Sequence, residues 1–231
     1  MRFLVTAGNT REMIDQVRDW GNIFTGNTGR SIAEALSSRG AVDLLTSNQQ
    51  HVQEICQNPE SPLKATAFRS HAQLRALLEE RVATTAYHAI FMTAAVADYA
   101  PAGAFSVLER RTIGNGLEQW TVRDVSAGKI RSNYDAIAVL GRRTEKLIDL
   151  FRRRWNYRGL LVKFKLEVGL SEPQLVEIAQ QSRRASEADY IVANTLEMLS
   201  GPAAGAWLLG EHLQERVPRA QLAQRLAELA G

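Results

Sequence analysis

Phe3-Leu-Val-Thr-Ala-Gly-Asn-Thr-Arg-Glu12, followed by Gly21-Asn-Ile-Phe-Thr-Gly-Asn-Thr-Gly29, decides the fold. An apolar run, Phe3–Ala7, reads as a buried strand that enters a polar loop carrying Arg11, Glu12, Asp15 and Arg18. A second, glycine-spaced turn then leads into Arg30-Ser-Ile-Ala-Glu-Ala-Leu-Ser-Ser-Arg39, whose apolar spacing is helical. Glycines just before a helix leave backbone N–H groups free at its positive end, where an anion can sit. Two such loops after one strand point to a phosphorylated ligand.

The same alternation continues along the chain. Strands are expected at 41–46, 65–69, 89–94, 159–164 and 190–193, with a short late one near 206–209. Helices are expected at 30–38, 51–57, 71–84, 144–154, 172–186 and 218–229, with Ser70 and Ser171 as caps. Repeated strand–helix units predict an α/β, Rossmann-like, doubly wound and mostly parallel sheet. Ligands of such sheets lie at the carboxyl ends of the strands. That rule selects Gly8–Asn22, Ala94–Pro101, Phe164–Val168 and Asn194–Glu197.

Residues 105–133 break the rhythm. Val107–Ile113, the turn Gly114-Asn-Gly116 and Leu117–Val122 read as a β-hairpin. It is expected to be an inserted ribbon within a single domain spanning 1–231, serving as lid and dimer arm. Lys129 lies in its glycine-flanked return, Ser126-Ala-Gly-Lys-Ile130.

Composition narrows the classes. The chain has 231 residues, 45% of them hydrophobic, enough for one substantial core. Its single cysteine, Cys56, fits a reducing compartment and is expected to be buried as a small apolar residue. The start lacks the features of a signal peptide, and no apolar run reaches the length of a membrane span, so a cytoplasmic location and no membrane partner are expected. The formal net charge is +3, with arginine clusters at 110–111, 142–143, 152–154 and 183–184. With 7% aromatics and no nucleic-acid motif, a nucleic-acid partner is not expected. Most of these clusters are expected to be solvated, with one or two reaching an anionic ligand. The four histidines show no metal-ligand spacing, so no protein-held metal is expected.

Chemistry concentrates at strand ends. In Ala94-Ala-Val-Ala-Asp-Tyr99, small side chains admit a ligand to the backbone, and Asp98 can accept from a ribose hydroxyl or help hold magnesium; tight packing with an Asp turn reads equally well. Lys163 and Lys165 share a strand face and can act as point charges toward a triphosphate, or as solvated charges of an edge strand. Asn22 offers donors and an acceptor to a reacting carbonyl, or caps a turn. Asn194 reads as a ligand contact or an Asn turn.

Together these segments resemble phosphopantothenoylcysteine synthetase, the phosphopantothenate–cysteine ligase of coenzyme A biosynthesis. Thr6–Glu12 with Asp15 and Val17-Arg18 is similar to that family's Thr-Ala-Gly-Pro-Thr-Arg-Glu…Asp-Pro-Val-Arg. Gly21–Gly29 resembles its Ser-Asn-x-Ser-Ser-Gly-Lys-Met-Gly loop. Ala94–Tyr99 matches outright, Gly128-Lys-Ile-Arg-Ser132 resembles its Lys-Ile-Lys-Ser flap, and Phe164–Glu167 with Ile191–Asn194 completes the order.

The resemblance implies activation of the 4′-phosphopantothenate carboxylate by a nucleoside triphosphate, then displacement of the nucleotide by the cysteine amine. CTP is favoured as co-substrate, with ATP as the other choice, and Mg2+ neutralises the triphosphate. Asn22 and Lys129 would be catalytic. Gly8, Thr93, Ala94, Asp98, Lys129, Lys163, Phe164, Lys165 and Leu166 would contact the nucleotide, and Arg18, Asn22 and Ala95 the substrate. The family is a homodimer, the ribbon of one subunit approaching the other's site. No flavin is expected, because the synthetase pattern starts at Phe3.

Three departures from the family's pattern stand out. Lys163-Phe-Lys-Leu-Glu-Val168 stands where bifunctional bacterial members have Gly-Phe-Ala-Ala-Glu-Thr. Ser182 and Ser186 replace two helix lysines, and Asn27 replaces the lysine of the glycine loop. Phosphate binding then falls to Lys163, Lys165 or Arg183. The alternatives are a nucleotide-binding protein with a degenerate site and a short-chain NAD(P) reductase, the latter lacking any Tyr-x-x-x-Lys pair.

Overall fold

The computed structural model describes residues 1–231. In chain order the elements are β1 (Arg2–Ala7), β2 (Arg11–Met13), β3 (Asp19–Gly21), α1 (Asn27–Ser37), β4 (Ala41–Thr46), α2 (Gln49–Cys56), β5 (Leu63–Ala67), α3 (His71–Thr84) and β6 (Ala89–Met92). There follow β7 (Tyr99–Gly114), β8 (Leu117–Asp124), β9 (Ile137–Arg143), α4 (Leu147–Arg153), β10 (Leu160–Glu167), α5 (Glu172–Ala185), β11 (Tyr190–Thr195), β12 (Gly205–Leu209), β13 (Gln214–Pro218) and α6 (Leu222–Leu229).

Eight strands form one sheet in the order β13-β12-β11-β10-β6-β1-β4-β5. In that sheet β11, β10, β6, β1, β4 and β5 run parallel, and β12 and β13 close one side antiparallel. The chain order reverses at β1 and β6, so the crevice beyond their carboxyl ends is the topological switch point. Alternation along the strands splits the core between the faces. Phe3, Val5 and Ala7 pack with Ile32 and Leu36 of α1 and Leu226 of α6, whereas Leu4 and Ile90 pack with Leu74, Leu78 and Phe151 of α3 and α4. A third cluster joins Leu175 and Ala179 of α5 to Ile191 and Ala193.

The expected doubly wound sheet is present, with several differences. The ribbon is a three-stranded antiparallel sheet, β8-β7-β9, and spans 99–143 rather than 105–133. Its third strand, Ile137–Arg143, is a short run lacking the apolar alternation that marks a half-buried strand. β13 is mostly polar and ends in Pro218, which suits an edge. Arg11–Met13 and Asp19–Gly21, expected as loop, pair as a small hairpin. That hairpin separates β1 from the glycine turn, whereas a dinucleotide-binding turn follows its strand directly.

α1 begins at Asn27, three residues before the expected start, so Asn27–Gly29 is its first turn and Gly26 its left-handed cap at φ 87°. A Cβ on Gly26 would lie 2.4 Å from the Gly8 nitrogen, so glycine lets the loop rest on the end of β1. α4 starts at Leu147 rather than 144, because Thr144 is bound to the 97–98 loop through Ala97 O and Asp98 O. Residues 219–221 are a 3-10 turn rather than the first turn of α6. Cys56 is exposed at the end of α2, not buried; the helix buries His51 instead.

Candidate active site at the strand ends

A cleft of about 840 Å³ lies across the carboxyl edge of the sheet. It collects Gly8, Asn22, Thr93, Ala94, Ala95, Asp98, Lys163, Phe164, Lys165 and Leu166, together with Asn194. Arg18, Lys129 and Arg183 are not among its lining residues.

The floor is built by small residues and backbone bonds. Ala95 N donates to Gly8 O and Thr10 N to Ala95 O, stitching the ends of β1 and β6. Thr93 Oγ1 donates to Thr6 O, and Ala94 N to Thr6 Oγ1. A Cβ on Gly29 would lie 2.4 Å from Thr93 Oγ1 and 2.8 Å from Thr6 O, so α1 approaches this floor closely because Gly29 has none. Thr25 to Gly29 and Ser31 form the wall above it, at the positive end of α1.

Asn22 is exposed at the cleft mouth, its Nδ2 3.4 Å from Ala95 O. Behind the first turn of α1, buried His51 has Nε2 3.2 Å from both Asn27 Oδ1 and Asn48 Nδ2. Burial, then the nearby Arg30 charge, holds His51 below the ordinary histidine range. Asn48 Nδ2 also donates to Thr25 O, tying α2 to the turn.

The opposite wall is cationic. Lys163, on the α4–α5 side of the sheet, donates from Nζ to Ser182 O, Ser182 Oγ and Ser186 Oγ at 3.0–3.1 Å. Burial pulls its ammonium down to about 8. Lys165 pairs with Glu167 at 2.7 Å, and Lys146 with Asp98. Sequence reasoning did not single out Lys146, Arg143 or Arg219, all of which line the cleft. Arg143 and Arg219 make no ion pair or side-chain hydrogen bond with neighbouring residues. The signal for Arg143 was its place in an arginine doublet; nothing local marked Arg219.

Arg183 is used structurally, donating to Gln180 Oε1 and Ala188 O. Arg18 donates to Asp15 Oδ2 at 2.6 Å and to Ile130 O at 2.8 Å. Asp15, held well below the usual carboxylate range chiefly by Arg18, also accepts from Ile130 N. Gln16 N donates to Gly128 O. The 128–130 segment is thus clamped to the 15–18 loop, with Lys129 exposed between the clamped residues. No group of three or more His, Cys, Asp or Glu is placed to hold a metal ion. No helix is long and apolar enough to cross a membrane.

Residues 1–111 match the sequence family described as DNA/pantothenate metabolism flavoprotein C-terminal domain. The coenzyme A biosynthesis bifunctional protein CoaBC of Thermococcus kodakarensis is 29% identical over 97% of this chain and 49% of its own length. CoaBC of Mycolicibacterium smegmatis is 30% identical over 58% of this chain and 32% of its own. The chain therefore spans about half the length of the first of these relatives, or less. Among solved structures, the DNA/pantothenate metabolism flavoprotein of Streptococcus pneumoniae superposes with a TM-score of 0.80 at 29% identity, covering 99% of this chain and 97% of that one. A Cab2 variant in complex with phosphopantothenate-cysteine shares the fold, with a TM-score of 0.68 at 15% identity over 99% of this chain and 84% of that one.

Proposed function

We propose that this chain, whose residues 1–111 match the DNA/pantothenate metabolism flavoprotein C-terminal domain family, is a ligase joining 4′-phosphopantothenate to L-cysteine. The observation that carries this reading is the single cleft that gathers Asn22, the Ala94–Asp98 loop and Lys163–Leu166 at the switch point. The relatives named for coenzyme A biosynthesis and the fold shared with a phosphopantothenate-cysteine complex support it.

In the proposed reaction a carboxylate oxygen of phosphopantothenate attacks the α-phosphorus of the triphosphate, and pyrophosphate leaves. The cysteine amine then attacks the acyl carbon, the nucleoside monophosphate leaves, and the amine proton passes to solvent. Gly8, Thr93, Ala94 and Asp98 line the nucleotide's path with Phe164 and Leu166, and Ala95 meets the pantothenate arm. Lys163 and Lys165, with the unpaired Arg143 and Arg219, supply the positive field for the phosphates. Magnesium would accompany the triphosphate as its counter-ion and would neutralise part of its charge.

Asn22 donates to the acyl oxygen of the intermediate and to the charge that develops on it as the cysteine amine attacks, a contribution realised in the transition state of the second step. CTP is favoured over ATP. Lys129 and Arg18 lie outside the cleft of their own chain, and the ribbon exposes Leu108, Ile113, Leu117 and Trp120. A homodimer in the cytoplasm, with the ribbon of one subunit approaching its partner's cleft, puts both features to use. The test is the first half-reaction. With magnesium, phosphopantothenate and each triphosphate but no cysteine, the protein should release about one pyrophosphate per site; release that does not depend on phosphopantothenate would overturn the assignment.

A further inference from the structure

Asn22 sits on backbone that holds nothing of its own. Residues 22–25 make no backbone–backbone hydrogen bond, between the end of β3 and the start of α1. Ile23 is 84% exposed. Two side chains hold this segment instead: Asn48 Nδ2 bonds Thr25 O, and Asn9 Nδ2 bonds both Asn22 O at 2.6 Å and Phe24 O at 2.9 Å.

Asn9 is itself fixed from both sides. It follows Gly8 at the end of β1, its N–H donates to Ser47 Oγ at 2.9 Å, and its main chain bridges to Ala95. Both amide hydrogens of Asn9 are spent on the loop. Its Oδ1 is buried with no donor, an unfavourable feature that an apolar side chain would avoid. What the amide contributes here is its NH2, which makes both bonds to the loop.

We infer that Asn9 is the positioning residue for Asn22: its side-chain amide locks the Asn22 and Phe24 carbonyls to the end of β1, so that the Asn22 side chain faces the Ala95 carbonyl. The consequence for turnover rests on the ligase reading; the geometric claim does not. Asn9 touches no reacting atom in this scheme and acts only through Asn22.

Two variants test it. Asn9→Asp keeps the volume but turns an oxygen toward two carbonyl oxygens, and Asn9→Ala removes the contact altogether. The expected kinetic result is a fall in kcat for amide formation of about tenfold in both variants, with the KM for triphosphate unchanged within about twofold. Asn9→Asp turning over at the wild-type rate overturns the inference. The second readout is backbone 15N relaxation of the ligand-free protein, which needs no turnover. Wild-type Asn22 and Phe24 should show order parameters of about 0.85, falling to about 0.6 in both variants. Unchanged values overturn the inference even if the wild type proves to have no ligase activity, whereas that lack of activity with the expected relaxation change would remove only the ligase reading.

Discussion

Lys163 Nζ on β10 lies 3.0 Å from Ser186 Oγ, just beyond the end of α5. A strand residue thus seats its ammonium between two serines of the neighbouring helix, with Ser182 contributing both its hydroxyl and its carbonyl. This places a fixed positive charge in the cleft wall.

The pH dependence follows from that burial. The group titrates at about 8 instead of the ordinary 10.5, so the folded protein binds fewer protons than the unfolded chain between those values. Two opposite trends are expected. Triphosphate affinity falls as pH rises through about 8, because the ammonium is lost. The burial cost, present below pH 8, is relieved as pH rises toward 10.5, so this group's contribution to the stability of the ligand-free fold improves. Calorimetric titration at pH 7 and 9 should show the first trend in wild type. Lys163→Met should raise the Kd about tenfold at pH 7 and flatten the profile. Ser182→Ala with Ser186→Ala removes two acceptors and should move the alkaline limb to lower pH.

Asn22→Asp should separate the two steps. Replacing the amide by a carboxylate removes donors and adds like charge near the acyl oxygen, which hampers breakdown of the intermediate. Pyrophosphate release should continue while amide formation drops by about a hundredfold, within the range for losing one oxyanion donor. Equal loss in both steps would remove the specific role given to Asn22.

The Asp15–Arg18 clamp sets the position of Lys129. Asp15→Asn weakens the bonds to Arg18 and Ile130 N, so a lower melting temperature is expected near neutral pH. Because the Asp15 pKa is depressed, its stabilisation is complete above the ordinary carboxylate value of 3.8 and is lost as pH falls below it. The gap between wild type and Asp15→Asn should therefore narrow in acid. Lys129→Gln should slow pyrophosphate release without altering melting, since Lys129 is exposed.

Gly26→Ala tests the close approach of loop and strand. The added Cβ would meet backbone atoms of Gly8 and Ala7, at a position with φ 87°. A loss of at least about 2 kcal/mol in denaturant unfolding is expected, together with weaker triphosphate binding. An unaltered midpoint would show that the turn can move away from β1.

The parallel sheet was legible because its strands are buried on both faces and read as continuous apolar runs, as in Phe3–Ala7 and Ala89–Met92. The strand-end rule then selects Ala94–Pro101 and Phe164–Val168 without any side-chain geometry. β13 and the Arg11–Gly21 hairpin are hidden because they are short and polar, and β9 because its continuous Ile-Ala-Val-Leu run shows no period-two alternation. Cys56 was misplaced since α2 is a short helix on the sheet's margin and turns only His51 fully inward. Arg143 and Arg219 reach the cleft from β9 and the turn before α6, so only the three-dimensional path of the chain reveals them. Asn9 was read as part of a motif, and its bonds to Asn22 and Phe24 follow from a loop that folds back over thirteen residues or more.

The most direct measurement is formation of 4′-phosphopantothenoylcysteine by the purified protein, followed by mass spectrometry, with magnesium, phosphopantothenate, cysteine and either CTP or ATP. The account predicts amide product and pyrophosphate in equal amounts, faster with CTP than with ATP and strongly reduced in Asn22→Asp. No amide product with either triphosphate, from protein shown to be folded, would contradict it.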